Sequence, residues 1–382
     1  MLALTILINR SGSMVLPFMG LYLKESQGFS LSEVGIILAM FGVGSALGSI
    51  IGGVLTDRLG AFRVQFYSLF FGGIGLFLFS FLSGFWVLAL AMVVVSTITE
   101  SLRPANIAAV ASYAKPENIT RAISLNRMAI NLGFSVGPAI GGLLAAINYQ
   151  YIFWFDGLTC LIASGVFYRY FHQREARPAK GNKGDELKRM ILVIRDLDFI
   201  RFIGVCMVYA FSFFQLFNSL PLYLKDEGGL SEKTIGLLFA LNGIMVFVLE
   251  MPMVDALTKK LGSRKAVLLG FLLAALAFAA LLPGKSMTWF VLSYALLSLS
   301  EIAALPFLAT MATQFSNENN RGSYMGIFGL GFSLTHILAP SIALALAGWM
   351  SFQGLWWVLM GMGFLMPILS FLVRPKREMA MN

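Results

Sequence analysis

The sequence predicts an all-α integral membrane protein with twelve transmembrane helices in two six-helix halves and both termini in the cytoplasm. Three observations carry this. The 382 residues are 58% hydrophobic and 12% charged, with a mean hydropathy of +0.80, whereas soluble domains run at roughly 45–50% apolar and about 25% charged. The apolar residues fall into runs long enough to cross a bilayer. A pattern from the first half of the chain also returns about 200 residues later.

A crossing needs roughly 20 predominantly apolar residues. That criterion gives twelve segments, at about 2–23, 33–55, 64–83, 85–113, 121–146, 149–171, 200–223, 233–256, 266–283, 287–313, 321–348 and 351–373. The longest contain proline or polar residues, which predicts kinks or tilts. The first segment lacks a basic leader and is too long for a cleavable signal peptide. It begins almost at Met1, so a short polar leader is expected upstream of it.

Lysine and arginine in short loops set orientation. One side collects Arg58, Arg63, Lys115, Arg121, Lys259, Lys260, Arg264, Lys265, Arg321, Arg374, Lys376 and Arg377, together with the basic linker from Arg169 to Arg201. The other has only Lys24, Lys225, Lys233 and Lys285, offset by Glu25, Asp226, Glu227 and Glu232. The basic side is therefore cytoplasmic. The net charge of +9 is topogenic, and no nucleic-acid partner is expected.

The domain plan is a first bundle over 1–171, a cytoplasmic linker over 172–199 and a second bundle over 200–382. Leu187, Met190, Ile191 and Ile194 recur at helical spacing among basic residues, which predicts an amphipathic helix on the membrane surface. The repeat aligns LYLKESQGFSLSEVGIILAMFG (Leu21–Gly42) with LYLKDEGGLSEKTIGLLFALNG (Leu222–Gly243). Glu117–Ala122 matches Glu318–Gly322, and Glu100 has Glu301 as its counterpart, followed by Pro104 and Pro306 respectively. Parallel six-helix repeats place a substrate site near the midplane between them. Cys160 and Cys206 lie in apolar segments, so neither a disulfide nor a metal site is expected.

Between the second and third segments lies GGVLTDRLGAFR, Gly52 to Arg63, with a degenerate copy at Val254 to Lys265. This stretch resembles the loop 2–3 signature of the major facilitator superfamily, and the resemblance extends over essentially the whole chain. It implies a cytoplasmic latch built from Gly53, Asp57, Arg58, Gly60 and Arg63. GFSVGPAIGG, with Gly133, Gly137, Pro138, Gly141 and Gly142, resembles the fifth-helix motif of the twelve-helix drug:proton antiporter branch. Physically, the glycines offer a side-chain-free face, so that a neighbouring helix from the other half can approach, and Pro138 removes one backbone donor.

Ionisable groups inside a span are expensive and point to function. Glu100 and Arg103 are three residues apart and share a helical face. Arg103 falls where the family carries a basic residue proposed to assist proton transfer, although Asn106-Ile107 replaces the usual Gln-Gly. A glutamate beside an arginine titrates when their separation changes; the alternative is a static ion pair extended by Arg10. Glu301 lacks an arginine three residues on and reads as a second proton carrier or cation ligand. Glu250 reads as a gate residue, and His336 as an interhelix contact. Asp156 reads as a structural partner or a water-exposed residue, because the sixth helix lies outside the cavity in the family.

Helices 1, 4, 7 and 10 line the cavity in the family, which makes Asn9, Met14, Pro17, Phe211, Phe214, Gln215 and Asn218 the substrate-contact candidates. The sequence carries no Walker loop, zinc spacing or nucleophile elbow, so neither an enzyme nor an ATP-driven pump is expected. The expectation is proton-coupled export of amphipathic, drug-like molecules. The alternatives are another solute (a sugar, lipid, metabolite or peptide) or a non-transporting sensor. The expected partners are the small-molecule substrate, protons and the lipid bilayer, with no cofactor beyond the proton gradient. The resemblance further implies a monomer, and the compact chain with its lack of long loops points to a bacterial inner (plasma) membrane.

Overall fold

Proline interrupts three of the predicted spans at the same helical position. In the computed structural model, which describes residues 1–113, 119–172, 193–316 and 320–370, the first span is split into α1 (Leu2–Ser11) and α2 (Val15–Leu21), with Pro17 the third residue of α2. A π-helical turn, Tyr22–Ser26, extends α2. The fourth predicted span divides into α5 (Phe85–Glu100) and α6 (Leu102–Tyr113), with Pro104 third in α6. The seventh divides into α9 (Leu197–Phe214) and α10 (Ser219–Asp226), with Pro221 third in α10. A proline ring displaces the carbonyl four residues earlier and offers no N–H, whereas the first turn of a helix tolerates it. The chain therefore leaves the helix just before each of these prolines. Gly12, Ser101 and Asn218 occupy the gaps.

The remaining elements are α3 (Leu31–Leu59), α4 (Ala61–Phe79), α7 (Ile119–Ala145), α8 (Gln150–Phe171), α11 (Glu232–Lys260), α12 (Gly262–Ala279), α13 (Met287–Gln314) and α14 (Arg321–Ser370). Pro138, Pro252 and Pro306 lie inside helices that continue past them. Among the described residues, eleven helices are long and apolar enough to cross a membrane. The sequence predicts twelve. The difference lies in α14, where the last two predicted segments run together and only Ser351, at φ 68° and ψ 166°, departs from helical geometry.

The molecule falls into two compact units: Met1–Gly181 with Phe217–Phe247, and Asn182–Leu216 with Val248–Asn382. Of the three chain boundaries, one follows Gly181, one falls in the gap between α9 and α10, and one runs through α11. In the first unit α3 packs on α5, α4 on α8, and α1 on α7 and α8. Gly44, Gly48 and Gly52 line the α3–α5 contact: a Cβ at Gly48 would lie 2.5 Å from the Thr97 carbonyl oxygen. Small residues at this four-residue spacing let backbones approach where hydrophobic burial gives little drive. In the second unit α12 packs on α13 and α14, and α9 on α14. Large apolar side chains such as Trp86 (74% exposed) and Trp349 (81%) face outward, as a lipid-facing surface requires.

The repeat is visible in local geometry as well as in sequence. Gly28 and Gly229 both take positive φ (73° and 64°), as do the helix-joining Gly60 and Gly262 (88° and 71°). Ser30 and Glu33 form a capping box at the start of α3, and Ser231 with Thr234 caps the equivalent turn. Most of the linker over 172–199, including Leu187, Met190 and Ile191 of the predicted amphipathic helix, lies outside the described residues, as do Lys115, Glu117, Glu318, Arg374, Lys376 and Arg377.

Candidate functional site

Inside the first unit the helices enclose a cavity of about 110 Å³, room for several waters. Its polar wall is formed by Asn9, Arg10 and Ser13 of the first span, Ser96, Thr99 and Glu100 of α5, and Asp156 and Cys160 of α8; its apolar wall includes Phe41, Leu76, Phe79, Met92 and Phe153.

Glu100 is the last residue of α5 and is 9% exposed. Its Oε2 accepts a hydrogen bond from the Ser45 hydroxyl at 3.4 Å and lies 3.4 Å from Nη2 of Arg103. The predicted pairing of these two residues is thus present, across the gap at Ser101 rather than along one unbroken helix. Arg103 is asymmetric with its partner, its side chain being 62% exposed.

Arg10 interacts electrostatically with both Glu100 and Asp156, and its guanidinium lies 5.5 Å from the centroid of the Phe134 ring. Room for it comes from Gly133, where an added Cβ would stand 2.4 Å from the Arg10 Cβ. Its Nε, fully enclosed, makes no hydrogen bond to the described residues.

Of the two readings for Asp156, structural partner or water-exposed residue, the structure excludes the second, and it puts this helix on a cavity wall. Asp156 is 6% exposed, not water-exposed, and it lines the cavity together with Arg10 and Cys160. The Cys160 thiol lies 3.8 Å from its Oδ1, and Asn9 donates to Cys160 Sγ at 3.2 Å. Sequence spacing carries no signal for this: only the packing of α8 on α1, with Thr159 pressed against Gly12, brings this helix to the break in the first span.

Residues 1–283 and 202–381 match the family described as the Major Facilitator Superfamily. The chain belongs to that superfamily. Major facilitator relatives include a Na(+), Li(+), K(+)/H(+) antiporter of Planococcus maritimus, 23% identical, with 90% of this chain and 88% of the relative covered. Quinolone resistance protein NorA of Staphylococcus aureus is 24% identical over 64% of this chain and 63% of its own. A crystal structure of the peptide transporter POT in complex with sulfate superposes with a TM-score of 0.79 at 17% identity, covering 97% of this chain and 94% of that one, a likeness of fold alone.

The superfamily's loop 2–3 stretch is a one-residue corner. Gly60 ends α3 and precedes α4, and its N–H donates to the Thr56 carbonyl at 3.0 Å. Asp57, Arg58 and Arg63 are exposed on the first unit, and a Cβ at Gly53 would meet nothing within 4 Å. The fifth-helix glycines divide their work. A Cβ at Gly142 would lie 2.9 Å from the Gly236 Cα of α11, so a second-half helix does approach there. Gly137 and Gly141 do not face the other half as expected; they press on Arg10, Ser11 and Met14 of the first span.

The other candidates are scattered. Asn9 lines the cavity, whereas Met14 is fully buried against Gly141, away from the lining. Pro17 and Asn218 are buried in the first unit. In the second unit Gln215 is fully buried and donates to the Phe211 carbonyl at 2.7 Å, and Phe214 stacks on His336 at 3.7 Å between ring centroids. Glu301 is half-buried on α13, within electrostatic range of Tyr209, whose hydroxyl pairs with Ser300 Oγ at 3.0 Å. Glu250 is half-buried on α11. Among the described residues no group of three or more His, Cys, Asp or Glu side chains is arranged to hold a metal ion.

Proposed function

We propose that this chain is a proton-coupled secondary transporter that exports amphipathic, drug-like molecules by alternating access. The observation that carries the reading is Glu100: a buried carboxylate on a cavity wall, paired with Arg103 at 3.4 Å and sharing that wall with Arg10. A carboxylate paired with an arginine ionises or takes up a proton according to the distance between them, and an exporter needs such a group so that proton and substrate compete. The relatives named as an antiporter and as a quinolone resistance protein support the same class of activity.

In this reading α14 counts as two crossings divided at Ser351, which makes twelve spans with both termini cytoplasmic, in the inner membrane of a bacterium. The halves 1–171 and 200–382 act as the two repeats joined by the linker over 172–199. Gly53, Asp57, Arg58, Gly60 and Arg63 serve as the cytoplasmic latch. Glu301 is the second-half counterpart of Glu100, and the protein works as a monomer with the proton gradient as its energy source.

The test is transport by purified protein in liposomes under an imposed pH gradient, with a fluorescent lipophilic cation as substrate. Wild type is expected to show gradient-driven flux and Glu100→Gln to lose it. Flux that survives in Glu100→Gln moves the carrier role to Glu301. A wild type without flux overturns the drug reading.

A further inference from the structure

Among the described residues, two charged side chains on the cavity wall touch no opposite charge: Arg10 from α1 and Asp156 from α8. The Arg10 guanidinium rests on Phe134, 5.5 Å from the ring centroid. A ring attracts the cation but offers no lone pair to its N–H groups, and the buried Nε makes no hydrogen bond. Asp156 is 6% exposed. The hydrogen bond its carboxylate accepts comes from the Cys160 thiol at 3.8 Å, a weak donor.

The other polar groups of the wall are engaged. Glu100 is held by the Ser45 hydroxyl and by Arg103. Ser96 and Thr99 donate to the Met92 and Val95 carbonyls of their own helix at 2.6 and 3.0 Å, and Asn9 donates to Cys160 Sγ at 3.2 Å. Enclosed charges without a contacting partner are costly. A guanidinium fork matches a carboxylate, and a buried carboxylate matches an ammonium. Because Arg10 and Asp156 line one cavity without closing into an ion pair, a single ligand can meet both. The facing wall, with Phe41, Leu76, Phe79, Met92 and Phe153, is apolar. At ~10–15 Å³ per water-sized group, a cavity of about 110 Å³ takes roughly ten non-hydrogen atoms, the size of one amphipathic amino acid.

We propose that this cavity binds a small amphipathic zwitterion, its carboxylate on Arg10, its ammonium on Asp156 and its apolar body against Phe41, Phe79 and Phe153. A simple cation leaves Arg10 unmet, and a simple anion leaves Asp156 unmet. The inference rests on the transport reading above for its purpose, since it narrows the cargo of the same cavity, but the binding itself needs no gradient.

Equilibrium binding of tritiated phenylalanine to the purified protein in detergent at neutral pH, with 2-phenylethylamine and 3-phenylpropanoate as competitors, tests it. The three share one ring and carry both charges, the ammonium alone or the carboxylate alone. Wild type is expected to bind phenylalanine about tenfold or more tightly than either competitor, because a site built for a polar group rejects the analogue that lacks it. Arg10→Gln should erase the preference over 2-phenylethylamine and keep that over 3-phenylpropanoate; Asp156→Asn should do the converse. A wild type without saturable phenylalanine binding, or one that binds a singly charged competitor as tightly, overturns the proposal. So do variants that weaken all three ligands equally, as a merely structural role would. Should either variant fail to fold, the wild-type ranking of the three ligands decides. Zwitterion-selective binding without proton-driven flux of the lipophilic cation leaves this inference standing and removes the export reading. Flux without a preference for the zwitterion does the reverse.

Discussion

Gly142 of α7 and Gly236 of α11 meet backbone to backbone: a Cβ built on either would lie 2.9 Å from the Cα of the other. Neither helix can yield locally, because the obstructing atoms are main chain. Gly236→Val is therefore expected to destabilise the protein by about 1–3 kcal/mol, the usual cost of overpacking, read as a lower thermal midpoint in detergent. Gly53→Ala, where an added Cβ meets nothing within 4 Å, is the control and should not lower the midpoint, since alanine in a helix interior is favoured over glycine by about 0.5–1 kcal/mol.

Two corners predict opposite responses to the same chemistry. Gly60 sits at φ 88°, ψ 153°, a region that only glycine adopts without strain, so Gly60→Ala should cost about 1–3 kcal/mol. Ser351 is a non-glycine residue at φ 68°, ψ 166°, so Ser351→Gly should stabilise, by the upper end of that range or less, since glycine also gains freedom in the unfolded chain. Thermal unfolding of the two variants side by side checks both signs.

The joint of the first span should show coupling between neighbours. Gly12→Ala forces a methyl group onto the Thr159 hydroxyl and should destabilise strongly. Thr159→Ala removes that oxygen but leaves its own Cβ 2.8 Å from the new methyl carbon, so the double variant should recover only part of the loss. Additive effects in a double-mutant cycle would show that the two residues do not touch.

A further contact lies at the α8 entrance. The Tyr149 hydroxyl donates to Glu232 Oε1 at 2.8 Å, and Lys225 Nζ reaches the same oxygen at 2.7 Å. Burial, reinforced by the Glu232 carboxylate, pushes the Tyr149 phenol well above its ordinary value. A raised phenol pKa stabilises the fold fully below the unfolded value near 10 and less as pH rises above it. Tyr149→Phe should thus cost on the order of 1 kcal/mol at neutral pH and flatten the loss of stability above about pH 10. A denaturation series at rising pH measures both.

Most of the architecture was legible because it depends on composition and period. The apolar runs, the repeat from Leu21 to Gly42 and the corner at Gly60 are all local features. What escaped was depth and partnership. Asp156 reads as peripheral because the sixth helix lies outside the cavity in the resembled family and Asp156 is near the outer end of its segment, and only the packing of α8 against α1 reveals that it lines a cavity. The fifth-helix glycines are visible as a smooth face, yet their spacing does not say that Gly142 meets α11 while Gly137 and Gly141 meet the first span. The boundary predicted between the last two segments coincides with Ser351, but the structure has no loop there: the chain departs from helix at that one residue's backbone angles.

The join between α3 and α4 has no slack. With a single residue, Gly60, between Leu59 and Ala61, the corner cannot act as a floppy loop that reaches for a partner. Asp57, Arg58 and Arg63 are bolted to two rods, and any force on these charges becomes a lever acting on α3 and α4 together.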